Sequence, residues 1–563
     1  MKIKDLPYKR SDFEQIAKQL NEITEKFKQA NCVERAINLR KDMQMIVEEF
    51  STMASLANIR FTQNTKDEFY LQEKKYYDEK FPLFYDVYTK FINAFLESKF
   101  IDELKAKLPE KVFAYYDYIL KSNDPKVIED RQKEAQIVCE YSELMGSMEF
   151  EFRGKKMPLS VLRGYLQDAD RDTRKEATIA IGNGIGANAK ALDDIFDRLV
   201  KVRHEIAVKS GYKNYAEISV FERCRYDYNV ETLNGFKAGV KKYLVPLVSR
   251  LKEQTAKELG VDKIAFYDNA VTNKDGEARP IEGKENIFAA AIEMYDEMNP
   301  ELGAFMRKMQ SEDAFDVDAR DAKFGGGYCS ELNKFKQVFI LANFNGSSDD
   351  IDVMTHEFGH AVAMNYVYDY GDTELSVGGM ETAECHSMSM EFLAWKFMDK
   401  FFGKDVNKYC YRHLYDSLAF IPYGVIIDEF QKRVYENPNM TPSERNAMYM
   451  ELEKEYRPHL SYEGLPYLDE GRRWQYQMHV YESPFYYIDY CLAQTIALEF
   501  LLESKKDYQK ALSSYLDFSK KGGMQYFRKL VSEAGLLSPF DENSFAEICS
   551  GAEKVLMDIK KEL

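Results

Sequence analysis

Residues 379–398 read as a helix with no polar face. Met380, Ala383, Met388, Met390, Phe392, Leu393, Trp395, Phe397 and Met398 surround its axis, so it must lie inside a larger body. Yet Glu384, Ser387 and Glu391 fall at i, i+3 and i+7 and draw one narrow polar line along it. Buried carboxylates are costly unless they are paired or bind a metal. Whatever fold the chain adopts must therefore bring a cation to that line.

A carrier for that cation stands upstream. Residues 355–363 read Thr-His-Glu-Phe-Gly-His-Ala-Val-Ala, an H-E-x-x-H pattern in a segment where Ile351, Met354, Phe358, Ala361 and Val362 keep helical spacing. Side chains four apart on a helix lie one above the other, so His356 and His360 can aim ring nitrogens at one Zn²⁺ while Glu357 flanks the same face. With 7 His and 94 Asp plus Glu in 563 residues, chance supplies only about 0.015 such patterns. Glu384 is the candidate third ligand, completing a His₂Glu set that favours zinc, one per chain. Glu391, and Glu381 one turn before the ligand, are candidates for carboxylates that orient the imidazoles from behind. Each has an alternative: compensation of the helix dipole for Glu381, a buried ion pair for Glu391. His386 points about 200° away from Glu384 around the helix and reads as packed in the core.

The rest of the chain also reads as helix. Phe13, Ile16, Leu20, Ile23 and Phe27 recur at alternating spacings of three and four behind Ser11 and Glu14, which are placed as a capping box. Similar striped segments fill residues 1–150, with breaks at Pro109 and over 122–125. The expectation is a mostly α-helical protein, with a helical N-terminal lobe over 1–150 and a helical catalytic region over 151–563. The clearest departure is the Gly-rich stretch 322–330 followed by the β-branched and aromatic run 335–344, which reads as a short antiparallel pair of strands.

Composition removes several other classes. Against 94 Asp plus Glu stand 77 Lys plus Arg, a net charge of −17, and no Lys/Arg block supplies the basic stripe that nucleic acid requires. No apolar run reaches transmembrane length, and none follows the opening Met-Lys-Ile-Lys-Asp-Leu-Pro, so a cytoplasmic protein without a membrane partner is expected. The 8 cysteines are scattered without a CxxC pair, as suits reduced thiols. Cys329 and Cys385 are expected near the site, with sensitivity to thiol reagents as the consequence. No GxSxG is present, and Gly325–Gly327 lack the Lys and Ser/Thr of a phosphate loop.

Taken together, His356-Glu-Phe-Gly-His360, the run Glu381-Thr-Ala-Glu384-Cys-His-Ser-Met-Ser-Met-Glu391 and the preceding Asn343-Phe-Asn-Gly resemble the thimet oligopeptidase and oligoendopeptidase F family of zinc metallopeptidases. The family pattern of an acidic residue three before the ligand Glu, a Ser three after it and a Glu seven after it is kept in full, and the specific similarity runs over residues 320–495. The resemblance implies a two-lobed ellipsoid with a deep central channel and a small β-sheet beside the zinc-binding helix. Such a channel admits short unstructured peptides and excludes folded proteins. The resemblance implies too that the peptide adds a strand to an edge formed by Gly325, Gly326, Gly327 and Tyr328, where glycines permit close backbone approach; a simple bulge or turn is the alternative. It further implies an aromatic element, His479-Val-Tyr-Glu-Ser-Pro-Phe-Tyr486-Tyr487-Ile-Asp-Tyr490, whose histidine and tyrosines hydrogen-bond the scissile carbonyl. Tyr486 and Tyr490 are four apart and would share a helix face, with Tyr487 a substitute for either.

The expected reaction is hydrolysis of internal peptide bonds. Zn²⁺ on His356, His360 and Glu384 leaves a fourth position for water, Glu357 acts as general base, and Tyr486 or Tyr490 with His479 stabilises the oxyanion. Two rivals stay open. Removal of C-terminal dipeptides needs a cationic residue gripping the terminal carboxylate, and a non-catalytic helical scaffold has no need of Glu357.

Overall fold

The computed structural model describes residues 1–273, 276–375 and 378–563. Helices dominate it, and they begin where the apolar stripe begins. Helix α1 (Phe13–Lys28) buries Ile16, Leu20, Thr24 and Phe27 and leaves its charges in water. Its start departs from the expected capping box. Asp12 is the N-cap and accepts from the Gln15 N–H at 3.1 Å, whereas Ser11 is buried and donates its backbone N–H to the Tyr77 hydroxyl at 3.1 Å. A carboxylate at the cap both satisfies a free amide and complements the helix dipole, so the aspartate takes the role from its neighbour.

Helices α2 (Val33–Gln63) and α3 (Glu68–Leu96) pack on α1, and Phe50 of α2 stacks on Phe84 of α3 with ring centres 4.5 Å apart. After the break at Pro109 comes α4 (Glu110–Ser122). A buried ionic knot ties these helices to the later part of the chain. Arg40 of α2 donates to Asp372 at 2.9 Å and also pairs with Glu374. Tyr88 of α3 and Tyr116 of α4 donate to the same Glu374 at 2.6 and 2.7 Å. A carboxylate with three such partners is secured although it is deeply buried.

The principal sheet has three strands, β1 (Phe315–Asp318), β2 (Tyr328–Leu332) and β3 (Gln337–Phe344), in the order β1-β3-β2. The expected antiparallel pair is β2 with β3, Tyr328 facing Leu341 and Leu332 facing Gln337. Two features differ from expectation. Residues 322–327 form bends and not a strand, and β1 adds a parallel partner to β3 that its two aspartates disguised. Lys323 explains both, because its ammonium donates to the carbonyls of Asp316, Asp318 and Ala342 and folds the glycine stretch back over the sheet.

Directly after β3 the chain enters α5 (Asp349–Tyr370), then α6 (Met380–Leu393), α7 (Val406–Glu436) and, after two intervening shorter α-helices, α8 (Tyr487–Lys506). Helix α6 is wedged between α5 and α8, and residues 381–393 are all buried. Its apolar surround predicted that position. No helix among the described residues is long and apolar enough to cross a membrane.

Candidate active site

Helices α5 and α6 meet at a glycine. A Cβ on Gly359 would stand 2.4 Å from the His386 carbonyl and 2.7 Å from the Ser387 Cα, so only glycine lets the two backbones come this close. The approach carries Glu384 under both histidines. Its Oε2 lies 3.3 Å from His356 Nε2 and 3.4 Å from His360 Nε2, and the three ligand atoms fall within 4.8 Å of one another. No Lys or Arg contacts Glu384 among the described residues. Two imidazole nitrogens and a buried carboxylate converging on one point fit a divalent cation, and the N₂O donor set suits zinc.

Behind His356 runs a chain of hydrogen bonds with a fixed direction. The indole Nε1–H of Trp395, which can only donate, gives to His413 Nδ1 at 2.8 Å. His413 must then donate from Nε2 to Glu391 Oε2, 2.7 Å away. Glu391 Oε1 in turn accepts from His356 Nδ1 at 2.7 Å, which leaves the His356 Nε2 lone pair facing the site. Glu391 is thus placed against an imidazole. Glu381 is not: it accepts from Tyr228 at 3.1 Å and from Thr382 at 3.2 Å and touches neither ligand histidine. Its turn of α6 faces Tyr228 and Asp489, and burial pushes its carboxyl up to about 8. His386 is packed as expected, with burial pushing it down to about 3 and Ser519 at 3.3 Å from Nδ1.

Glu357 lies opposite the glycine stretch. A Cβ on Gly327 would sit 3.6 Å from Glu357 Oε1, so the backbone there passes close to the carboxylate, whose pKa burial raises. Asn343 secures the stretch by donating to the carbonyls of Phe324 and Gly326, both at 2.9 Å. Gly325 faces open space, and the outer edge of β2 pairs with no strand among the described residues. The Tyr328 hydroxyl is engaged elsewhere, 2.5 Å from Thr62 of α2.

The C-terminal aromatic element closes the other side. Tyr423 donates to Gln477 Oε1 at 2.7 Å, and Gln477 Nε2 donates to His479 Nδ1 at 2.8 Å. His479 therefore carries its proton on Nε2, and burial keeps it neutral by lowering it to about 4. Ring centres of Tyr486, Tyr487 and Tyr490 lie 5.8, 5.1 and 5.9 Å from that of His479. The two expected hydroxyls do not act alike. Tyr486 precedes the first turn of α8 and donates to Glu384 Oε1, while Tyr490 lines, with His479, Tyr487, Glu391 and His413, a cavity of about 360 Å³. Cys329 and Cys385 stand near the site, but burial pushes both thiols well above their ordinary range, so neither is a reactive thiolate at neutral pH.

His413, Trp395 as a donor and Gln477 were not recognised as site residues from the sequence. The one available signal was a tryptophan in an otherwise apolar helix, since a buried indole N–H requires an acceptor.

Comparison with known proteins identifies the family. Residues 3–123 match the peptidase M3 N-terminal domain and residues 164–548 match peptidase family M3. The chain is 22% identical to oligopeptidase PepF of Bacillus subtilis (strain 168), over 92% of this chain and 80% of that one. It is 22% identical to the chromosomal oligoendopeptidase F of Lactococcus lactis subsp. cremoris, over 93% and 90% of the two chains. Its fold superimposes on the solved structure of PZ peptidase A with an inhibitor at a TM-score of 0.96 and 37% identity, covering 100% of both chains.

Proposed function

The chain belongs to peptidase family M3, and from that premise we propose that it is a zinc-dependent oligoendopeptidase cutting internal bonds of short unstructured peptides. The observation that carries this reading is the convergence of His356 Nε2, His360 Nε2 and Glu384 Oε2 within 4.8 Å, with Glu357 beside them and the backbone of Gly327 across from it. When bound, zinc supplies Lewis acidity: it polarises a carbonyl and makes water acidic enough to lose a proton near neutral pH.

The protein's own groups do the rest. Glu357 accepts the proton of the attacking water at its carboxylate and returns it to the leaving amine. Burial, which raises its pKa, fits it to both halves of that transfer. His479 donates from Nε2 towards the developing oxyanion, its tautomer held by Gln477. Tyr490 is the tyrosine placed to add a second donor, whereas Tyr486 holds the Glu384 carboxylate. Gly325, Gly326 and Gly327 admit the peptide backbone against the β2 edge, and Tyr328 is anchored to α2 with only its main chain left for pairing. Separate family matches over 3–123 and 164–548 support a division near residue 150.

The test is cleavage of an internally quenched peptide of about ten residues by the wild type and Glu357→Gln, with bound metal measured in both. Internal cleavage by the wild type, lost in a variant that still holds one zinc, supports the reading. A wild type that binds no zinc and cuts nothing when zinc is supplied overturns it.

A further inference from the structure

Among the described residues no carboxylate lies at ion-pair distance from the guanidinium of Arg473. Its Nε and Nη1 atoms are shut off from solvent and make no hydrogen bond. Its Cζ lies 4.4 Å from the ring centre of Tyr423, 5.3 Å from Phe266 and 5.9 Å from Tyr476. Arg457 shares the Tyr423 ring at 4.7 Å, but its charge is balanced by Glu453, gripped through Nε at 2.7 Å and Nη2 at 2.5 Å. Tyr476 also carries Arg163, whose Nε donates to the hydroxyl at 2.5 Å and whose Cζ is 5.0 Å from the ring centre. Arg163 likewise has no carboxylate partner among the described residues.

Two unbalanced guanidiniums on one tyrosine stand out in a chain of net charge −17. A desolvated, unpaired charge is strongly disfavoured, so a site that keeps one is built for a ligand of opposite sign. The planar fork of a guanidinium matches a carboxylate through two parallel hydrogen bonds, and aromatic walls that exclude water strengthen them.

The place of this cluster puts that carboxylate on the bound peptide. Tyr423 meets Tyr487 with ring centres 5.7 Å apart, and Tyr487 meets His479 at 5.1 Å. Contacts this short put Arg473 no more than about five extended residues from His479. We infer that Arg473, assisted by Arg163, binds a carboxylate of the bound peptide, either its C-terminus or an Asp or Glu side chain, within about five residues of the cut. The inference rests on the peptidase reading above. Because Arg473 lies away from the reacting atoms, it acts on KM more than on kcat.

The experiment compares zinc-loaded wild type with Arg473→Met on quenched peptides of one sequence: a free C-terminal acid, its amide, and amides in which Glu replaces Gln at successive positions around the cut. In the wild type, kcat/KM for at least one carboxylate-bearing peptide is about 10- to 100-fold above that of the neutral amide, mostly through KM. In Arg473→Met that preference falls towards one. Arg163→Met, at an exposed position, gives a smaller fall, and Arg473→Lys keeps part of the preference. Preference for the free acid assigns the C-terminus, and preference for Glu at one position assigns a side chain. A wild type that treats all the peptides alike, or an Arg473→Met enzyme that keeps the preference, overturns the inference. Thermal unfolding checks the fold of Arg473→Met, which removes a buried charge without orphaning a partner and should melt no lower than wild type. If no peptide is cut, the peptidase reading fails separately. Fluorescence anisotropy of the acid and amide peptides on Glu357→Gln then decides the carboxylate site, with tighter acid binding expected and equal binding overturning it.

Discussion

Helices α1 and α6 are both regular and similar in length, 16 and 14 residues, yet they use their polar groups in opposite ways. On α1 one stripe is buried and the charges lie in water, where the Glu25–Lys28 pair at 2.7 Å is more than half exposed at both ends. On α6 every residue from 381 to 393 is buried, so its polar groups depend on partners within the protein. Glu384 has the two histidines, Ser387 and Tyr486. Glu391 has His356 and His413, and Glu381 has Tyr228 and Thr382. A polar residue on an exposed face is replaceable, whereas a polar residue on a helix buried all round is specified by whatever faces it.

The comparison breaks most visibly at the metal. Glu384→Gln keeps the shape of α6 but weakens a ligand, and we expect peptide hydrolysis to fall by at least about 10³-fold with zinc lost on dialysis, as metal analysis would report. If zinc and activity survive, α6 is no more constrained than α1. Next in size, Leu20→Ala in α1 removes a fully buried side chain and should cost about 2–5 kcal/mol in denaturant unfolding. Zinc content of the folded variant should stay at one per chain.

Trp395→Phe keeps the packing and removes the donor that sets the direction of the chain to His356. Zinc affinity, measured by chelator competition, should weaken about 10- to 100-fold while the melting temperature of the zinc-free protein barely moves. An equal loss in both would make Trp395 a packing residue only.

A smaller effect comes from α8, which packs against α6. Burial raises the Glu499 carboxyl to about 8, so the folded state holds a proton that the unfolded state releases above its ordinary range. The stability this confers is complete below that ordinary value and gone once the pH passes about 8. Glu499→Gln should therefore raise the melting temperature by about 2 °C at pH 9 and change it little at pH 5. Smallest of all, Glu25→Gln on the open face of α1 should shift stability by less than about 0.5 kcal/mol.

Much of the candidate site is legible in the sequence. The i, i+4 spacing of His356 and His360 and the polar line through Glu384 are local properties of two helices, and the structure brings those residues together. The role of Gly359 came only with the structure, which shows the α6 backbone pressed against it. Less visible were the capping of α1 by Asp12, the strand at Phe315–Asp318 and the different turns of Tyr486 and Tyr490. Asp12 caps α1 locally while Tyr77, far along the chain, takes up the Ser11 amide; the strand and the tyrosines depend on contacts between elements, Lys323 with the Ala342 carbonyl of β3 and Glu384 with Tyr486.

The sequence by itself determined that the chain is helical, that the helix carrying Glu384 and Glu391 is interior, and that a cation must meet the carboxylates there. Those conclusions follow from periodicity and from the cost of burying charge, which act within a single element. Only the tertiary structure decided which groups answer that need. It set His413 and Trp395 behind His356 and Gln477 behind His479, turned Glu381 away from the two histidines, and left Arg473 without a carboxylate partner among the described residues. Partnership is a matter of which surfaces packing brings within about 3 Å, and no pattern along one strand of sequence fixes that.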